Sequence, residues 1–204
     1  MLAHFELIAR VANGIITAGC GLYLSYYFTR ARVKDVPTLF WMLGFYIYAL
    51  EIFLRLWLTF ENPLVFFSMT FMFIFFVLGT AILINVWKIF TYITILLTIV
   101  MTSTYLAGFW IIYATFGMVF FYGSMSVLTI LLRRKFKKFS NFFVIGWMIL
   151  LFSNLFLLQP VSEAWVDIAA AIGKMMMTRG MVNTHFASLL MMRIRERLSE
   201  TKPL

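Results

Sequence analysis

The feature that most constrains the fold of this chain is a series of long apolar runs separated by breaks that are alternately basic and free of Lys and Arg. Thirteen of the 17 lysines and arginines lie in the basic breaks, at residues 30–34, 88, 133–138 and 193–202. Loops that stay in the cytoplasm are enriched in Lys and Arg. The alternation therefore predicts a chain that crosses a bilayer repeatedly and keeps its basic breaks inside.

The composition excludes an ordinary soluble domain. Hydrophobic residues make up 63% of the 204 residues and charged residues only 12%, whereas soluble domains are about half apolar and a quarter charged. The net charge of +9 is explained by anionic headgroups and insertion topology, because the basic residues lie at helix ends rather than along one soluble face. No nucleic-acid partner is expected.

Seven stretches are candidates for a spanning helix, which needs roughly 17–25 apolar residues; the fourth of them is short, and the seventh reaches residue 177 or beyond. They are residues 7–28, 37–60, 64–87, 89–104, 108–132, 141–158 and 162 to about 177. Residues 89–132 carry no charge and are too long for one crossing, so a hairpin is expected at Thr102, Ser103, Thr104 and Gly108. The expected fold is an all-α polytopic bundle of seven transmembrane helices, with the N-terminus outside and the C-terminus inside.

The chain divides into two predicted parts. Residues 1–180 form the bundle, and residues 181–204 form an amphipathic helix in which Phe186, Leu190, Ile194 and Leu198 recur every four positions. This helix either lies on the inner membrane surface or extends the seventh helix into the cytosol. The basic breaks form a predicted cytoplasmic face, which comprises Arg30, Arg32, Lys34, Arg133, Arg134, Lys135, Lys137 and Lys138.

Four ionisable residues within the predicted spans form the candidate intramembrane site. Glu51 and Arg55 are four residues apart on one helix face, and Asp167 and Lys174 share a face of the seventh helix. Such groups are costly in lipid and mark functional sites by default. Glu51 is interpreted as a proton or cation site or as half of a structural ion pair. Lys174 needs a partner, for which Glu51 or a polar cavity is a candidate, and it is interpreted as a cationic ligand site, a proton relay, or a side chain that extends to the inner headgroups.

Three further polar residues are secondary candidates. Asn85 and Asn154 are expected to form interhelical hydrogen bonds, and Arg179 lies close to Lys174 along the chain. His4 and His185 are predicted at opposite membrane faces, so no metal site is expected. No nucleophile–base pair or phosphate-binding loop is apparent. We therefore expect no catalytic residues and no cofactor, and an intramembrane enzyme is only a minor hypothesis.

A weak internal repeat occurs at an offset of 102 residues. Arg32 precedes an aromatic segment with Gly44 at its sixth position, and Arg134 precedes one with Gly146 at the same position. Two parallel three-helix halves joined by a linker helix would produce this pattern. The 3+1+3 arrangement resembles that of SWEET-type sugar transporters, whose sites lie at the interface between repeats, although the Pro-Gln pair expected of that family is missing.

The seven-helix topology with a lysine in the last helix is similar to that of microbial rhodopsins. In that family an Asp lies four residues before the retinal lysine, whereas Asp167 precedes Lys174 by seven. The third helix also lacks the family's charged residues. Retinal at Lys174 is therefore not expected.

Three functions remain open from the sequence. The leading hypothesis is a receptor-like or sensory module of the cell membrane that signals or docks through its basic cytoplasmic face. The alternatives are a small-solute or ion transporter and a structural subunit of a larger membrane complex. The lipid bilayer is the expected partner in each case, and a cytoplasmic or membrane protein partner is an additional hypothesis.

Overall fold

The computed structural model describes residues 2–30, 36–59, 61–83, 87–135, 141–156 and 163–200. Over these residues the protein is all-α. Its helices are α1 (Leu2–Arg30), α2 (Val36–Leu54), α3 (Pro63–Leu83), α4 (Trp87–Leu106), α5 (Trp110–Lys135), α6 (Asn141–Phe156) and α7 (Glu163–Glu200). The expectation of an all-α fold is confirmed.

Three of these helices are long and apolar enough to cross a membrane, which supports a membrane association. The spans are His4–Arg30, Val36–Leu54 and Pro63–Leu83. Shorter apolar helices cover Thr91–Leu106, Phe121–Leu131 and Asn141–Ser153 among the described residues. Large apolar side chains such as Ile8, Leu64 and Leu96 are exposed along these helices, as the lipid-facing side of a membrane protein would be.

Six helices form a closed ring, and the remaining helix packs on its outside. Around the ring, α1 contacts α2, α2 contacts α3, α3 contacts α5, α5 contacts α6, α6 contacts α7, and α7 contacts α1. Helix α4 contacts α3 and α5. The centre of the ring is aromatic. Phe76 lies edge-on to Phe45, with ring centroids 5.0 Å apart, and to Trp147 at 5.5 Å. Edge-to-face contacts of this kind add to the stabilisation that burial of the rings provides.

Glycines allow α6 and α7 to pack backbone against backbone. A Cβ added at Gly146 would lie 2.6 Å from the carbonyl oxygen of Gly173, and one added at Gly180 would lie 2.5 Å from the backbone nitrogen of Phe143. Small residues are enriched at membrane helix interfaces because they permit such close approach. These two helices therefore pack as a tight pair.

The predicted turn between helices four and five is only partly correct. The helix α4 continues through Thr102, Ser103 and Thr104 to Leu106, and the turn follows at Gly108, which has φ = 79°. The Thr102 and Thr104 hydroxyls donate to the carbonyls of Thr98 and Val100. A hydroxyl that bonds to the preceding helical turn leaves the backbone ladder intact, so this polar cluster does not end the helix.

The end of α2 also differs from the prediction, and α7 follows one of the two alternatives left open for it. Helix α2 ends at Leu54, so Arg55 lies in the turn that follows it rather than within a longer helix. Helix α7 runs without interruption past Gly180 to Glu200. Of the two alternatives for residues 181–204, the described part of the segment continues the seventh helix.

Candidate functional site

Lys174 is the central residue of the candidate site, and its side chain is wholly buried. Its Nζ atom donates to Asn13 Oδ1 at 2.7 Å and to Thr17 Oγ1 at 3.0 Å, both on α1. The same Nζ lies 3.7 Å from the ring centroid of Tyr48 on α2. An ammonium has three N–H donors, and two acceptors and one aromatic face surround this one. Lys174 is thus held by neutral groups and does not extend to the inner headgroups.

A chain of polar contacts joins Lys174 to the N-terminal end of α7. Asn13 Nδ2 donates to Asp167 Oδ1 at 2.7 Å, so the Asn13 amide bridges Lys174 and Asp167. Arg10 Nε lies 3.6 Å from Asp167 Oδ2, and the Arg10 guanidinium also pairs with Glu163. The side chain of Glu163 is 57% exposed, whereas that of Asp167 is 12% exposed. The chain of contacts therefore leads from an accessible carboxylate to a buried ammonium.

Glu51 and Arg55 form the ion pair that their spacing predicts. Glu51 Oε1 lies 2.6 Å from Arg55 Nε. The angle there is not that of a hydrogen bond, and Oε1 accepts none from the described residues. The Glu51 side chain is fully buried, and that of Arg55 is 19% exposed. The Arg55 guanidinium therefore balances the charge of the buried Glu51 carboxylate, which does not need contact with Lys174 for this.

Tyr48 connects the polar contacts of α1 and α7 to the other side of the ring. Its ring covers the Lys174 ammonium, and its hydroxyl lies 2.7 Å from the hydroxyl of Tyr122 on α5. Both tyrosines are buried. Buried hydroxyls normally have a hydrogen-bond partner, and these two hydroxyls are hydrogen-bonded to each other. Movement of Lys174 would therefore reach α5 through a single side chain.

The sequence interpretation located the charges but missed most of their partners. It identified Asp167 and Lys174 as residues that share a face, and the structure joins them through Asn13. It suggested Glu51 as the partner of Lys174, but no carboxylate lies within 4 Å of Nζ among the residues that the structure describes. The missed side chains of α1 are Arg10, Asn13 and Thr17. Their spacing of three and four residues puts them on one helix face, and that spacing was the available signal.

The remaining candidates whose side chains the structure describes are exposed rather than buried beside Lys174. The Arg179 side chain is exposed, and its guanidinium carbon lies 5.4 Å from the ring centroid of Phe142. Of the basic face, Arg30, Arg133 and Arg134 are exposed. Four members of the basic face lie outside the described residues, namely Arg32, Lys34, Lys137 and Lys138, as does the secondary candidate Asn85. The side chains of Lys135 and Asn154 also lie outside the described part of the chain.

The arrangement is suited to holding or moving charge. Six ionisable groups lie in or beside the chain of contacts, and acidic and basic groups alternate among them. They are Glu163, Arg10, Asp167, Lys174, Glu51 and Arg55. In the described part of the chain, no group of three or more His, Cys, Asp or Glu side chains could hold a metal ion. No family model, no curated protein and no solved structure matches this chain.

Proposed function

We propose that this protein is a receptor-like sensory module of the membrane, in which α7 carries changes at the Lys174 site to the C-terminal segment. The observation that carries the proposal is the continuity of α7. Its 38 residues extend about 57 Å at 1.5 Å per residue, nearly twice the thickness of a hydrocarbon core. One helix thus holds Asp167 and Lys174 near its start and the basic segment of residues 193–197 near its end.

The proposal includes the membrane topology that the basic residues predict. Seven crossings would put the N-terminus outside and the basic breaks at the cytoplasmic face of the cell membrane. Arg30, Arg133 and Arg134 are exposed at helix ends, in keeping with that orientation. The C-terminal part of α7 would then lie in the cytosol, where a protein partner could bind it.

The test is the coupling between Lys174 and the end of α7. We expect Lys174→Gln to change amide hydrogen exchange in residues 184–200 by about fivefold or more, which is the lower end of allosteric coupling. The substitution removes the charge that holds α7 against α1, so the rest of the helix can shift. Exchange would be measured by mass spectrometry on the full chain in lipid nanodiscs.

A matched control separates coupling from general damage. Val127 is 54% exposed on α5, and Val127→Ala should leave exchange in residues 184–200 at the wild-type level. The sensory proposal is wrong if Lys174→Gln changes exchange only near the substituted residue, or if both variants alter the C-terminal segment equally.

A transporter is the second candidate, and the chain of contacts from exposed Glu163 to buried Lys174 favours it. Protons could move between the titratable groups Glu163, Asp167 and Lys174, while Arg10, which keeps its proton, orients the two carboxylates. In proteoliposomes with an entrapped pH-sensitive dye, we expect proton flux that Asp167→Asn and Lys174→Gln abolish. A flux that survives simultaneous neutralisation of Glu51, Arg55, Asp167 and Lys174 would exclude this mechanism.

A further inference from the structure

The six ring helices fall into two sets with equivalent contacts. Helices α1, α2 and α3 contact in sequence, as do α5, α6 and α7. The two sets then meet at two interfaces, α3 with α5 and α7 with α1. If α1, α2 and α3 are exchanged in order with α5, α6 and α7, the α3–α5 interface takes the place of the α7–α1 interface, and the reverse. This is the contact pattern of two copies of one three-helix unit related by a two-fold axis along the bundle.

The buried positions of the two sets coincide when the helices are aligned. At an offset of 102, every described buried residue of α6 falls on a buried residue of α2. At an offset of 101, eleven of the twelve buried residues of α3 fall on buried residues of α7. At an offset of 108, five of the six described buried residues of α5 fall on buried residues of α1. Apolar composition alone gives similar helices, but it does not set which face of each helix is buried.

The close glycine contacts also recur at aligned positions. In the first unit, a Cβ added at Gly79 would lie 2.9 Å from the Trp41 side chain. In the second, one added at Gly180 would lie 2.5 Å from Phe143. Gly79 aligns with Gly180 at the offset of 101, and Trp41 aligns with Phe143 at the offset of 102. In each unit, therefore, a glycine of the third helix packs against the aligned residue of the second helix, through the Trp41 ring in one unit and through the backbone and Cβ of Phe143 in the other.

The two equivalent interfaces differ sharply in chemistry. Between α3 and α5, the rings of Phe73 and Phe121 stack with centroids 4.2 Å apart. The aligned residues between α7 and α1 are Lys174 and Asn13, which form the 2.7 Å hydrogen bond of the candidate site. The same architecture thus accepts an apolar aromatic pair in one place and a buried charge in the other.

We infer that the chain consists of two copies of one three-helix unit, α1–α3 and α5–α7, and that the α1–α7 interface held by Lys174 is the seam at which the units separate. This inference goes beyond the proposed function, since it holds whether the site senses or transports. Within each unit, the second and third helices meet through glycines and bulky side chains, which tolerate little displacement. Across the seam, Arg10, Asp167 and Lys174 make polar contacts, which can exchange partners as the helices move. Phe5 and Trp165 also pack edge-on there.

The first experiment transplants the aromatic pair into the seam. We expect the double variant Asn13→Phe, Lys174→Phe to fold in detergent and in nanodiscs with a melting temperature at or above that of the wild-type protein. Each single variant should melt lower, because one leaves a buried ammonium and the other a buried amide without its partner. A double variant that melts no higher than the less stable single variant would contradict the equivalence of the two interfaces.

The second experiment measures separation at the seam directly. Spin labels would be attached in a Cys20→Ala background at Ile15→Cys with Ile172→Cys, and at the aligned pair Gly123→Cys with Phe71→Cys. Ile15, Ile172 and Phe71 are exposed, and no atom lies within 4 Å of a Cβ added at Gly123. Pulsed electron paramagnetic resonance gives the distance distribution of each pair.

We expect Lys174→Gln to add a longer-distance population to the pair at residues 15 and 172 and to leave the pair at residues 71 and 123 unchanged. The aromatic double variant should restore a single narrow population at the seam. The inference of a seam is overturned if neither pair changes, or if both pairs broaden together.

Discussion

Replacing Asn13 by Leu is expected to destabilise the folded chain by about 1.5–3 kcal/mol, the contribution of a buried hydrogen bond to a charged group. Asn13 supplies the closest acceptor of the Lys174 ammonium, at 2.7 Å, and it donates to Asp167 at the same distance. Both Lys174 and Asn13 are buried, with exposed fractions of 0% and 3%, so water cannot replace the lost bond. The free energy of unfolding would be measured by titration of a mild detergent with sodium dodecyl sulfate.

The control for this prediction removes the charge itself. Lys174→Met should destabilise the folded chain by only about 1 kcal/mol, less than Asn13→Leu does, because it leaves a neutral amide rather than a charge without its closest partner. The double variant should recover most of the stability that Asn13→Leu loses. If the double variant is as unstable as Asn13→Leu alone, the loss comes from packing or from Asp167, and the role assigned to the Lys174 contact is wrong.

Replacing Gly180 by Ala is expected to cost about 2 kcal/mol or more, a large effect for a single methyl group. The new Cβ would lie 2.5 Å from both the Cβ and the backbone nitrogen of Phe143. A backbone atom in a packed helix cannot move aside as a flexible side chain can, so α6 and α7 must separate. The melting temperature in detergent would reveal the loss.

Gly19 provides a matched control in another helix. It is exposed on α1, and no atom lies within 4 Å of an added Cβ. Gly19→Ala should be neutral or stabilising by up to about 1 kcal/mol, because alanine favours a helix over glycine. Equal melting temperatures for Gly19→Ala and Gly180→Ala would show that the α6–α7 contact is not as close as the structure has it.

Much of the helical framework could be predicted from hydropathy and spacing. Helix existence depends on neighbours within a few residues, so each of the seven predicted helices matches a helix in the structure. The contact between Glu51 and Arg55 was predictable for the same reason, because a spacing of four fixes their proximity. The turn at Gly108 was found, whereas the hydroxyl cluster before it was misread because such side chains can bond within their own helix.

The partners of the buried charges could not be predicted from the sequence. Asn13 and Lys174 are 161 positions apart, and no local pattern relates the face of α1 to the face of α7. The suggestion of Glu51 as one candidate partner of Lys174 used charge alone, whereas the ammonium is satisfied by an amide, a hydroxyl and an aromatic ring. Asn13 and Thr17 were overlooked because neutral polar residues in an apolar helix carry little signal until their neighbours are known.

The sequence by itself determined that the chain is helical and apolar enough for lipid, because hydrophobicity and helical period are local properties of consecutive residues. The hypothesis of a repeat also came from the sequence, through the equivalent positions of Gly44 and Gly146. Only the tertiary structure decided which helices close the ring and that α7 meets α1. Long-range packing made that choice, and it gave Lys174 a place in the interior where it contacts neutral partners rather than a carboxylate.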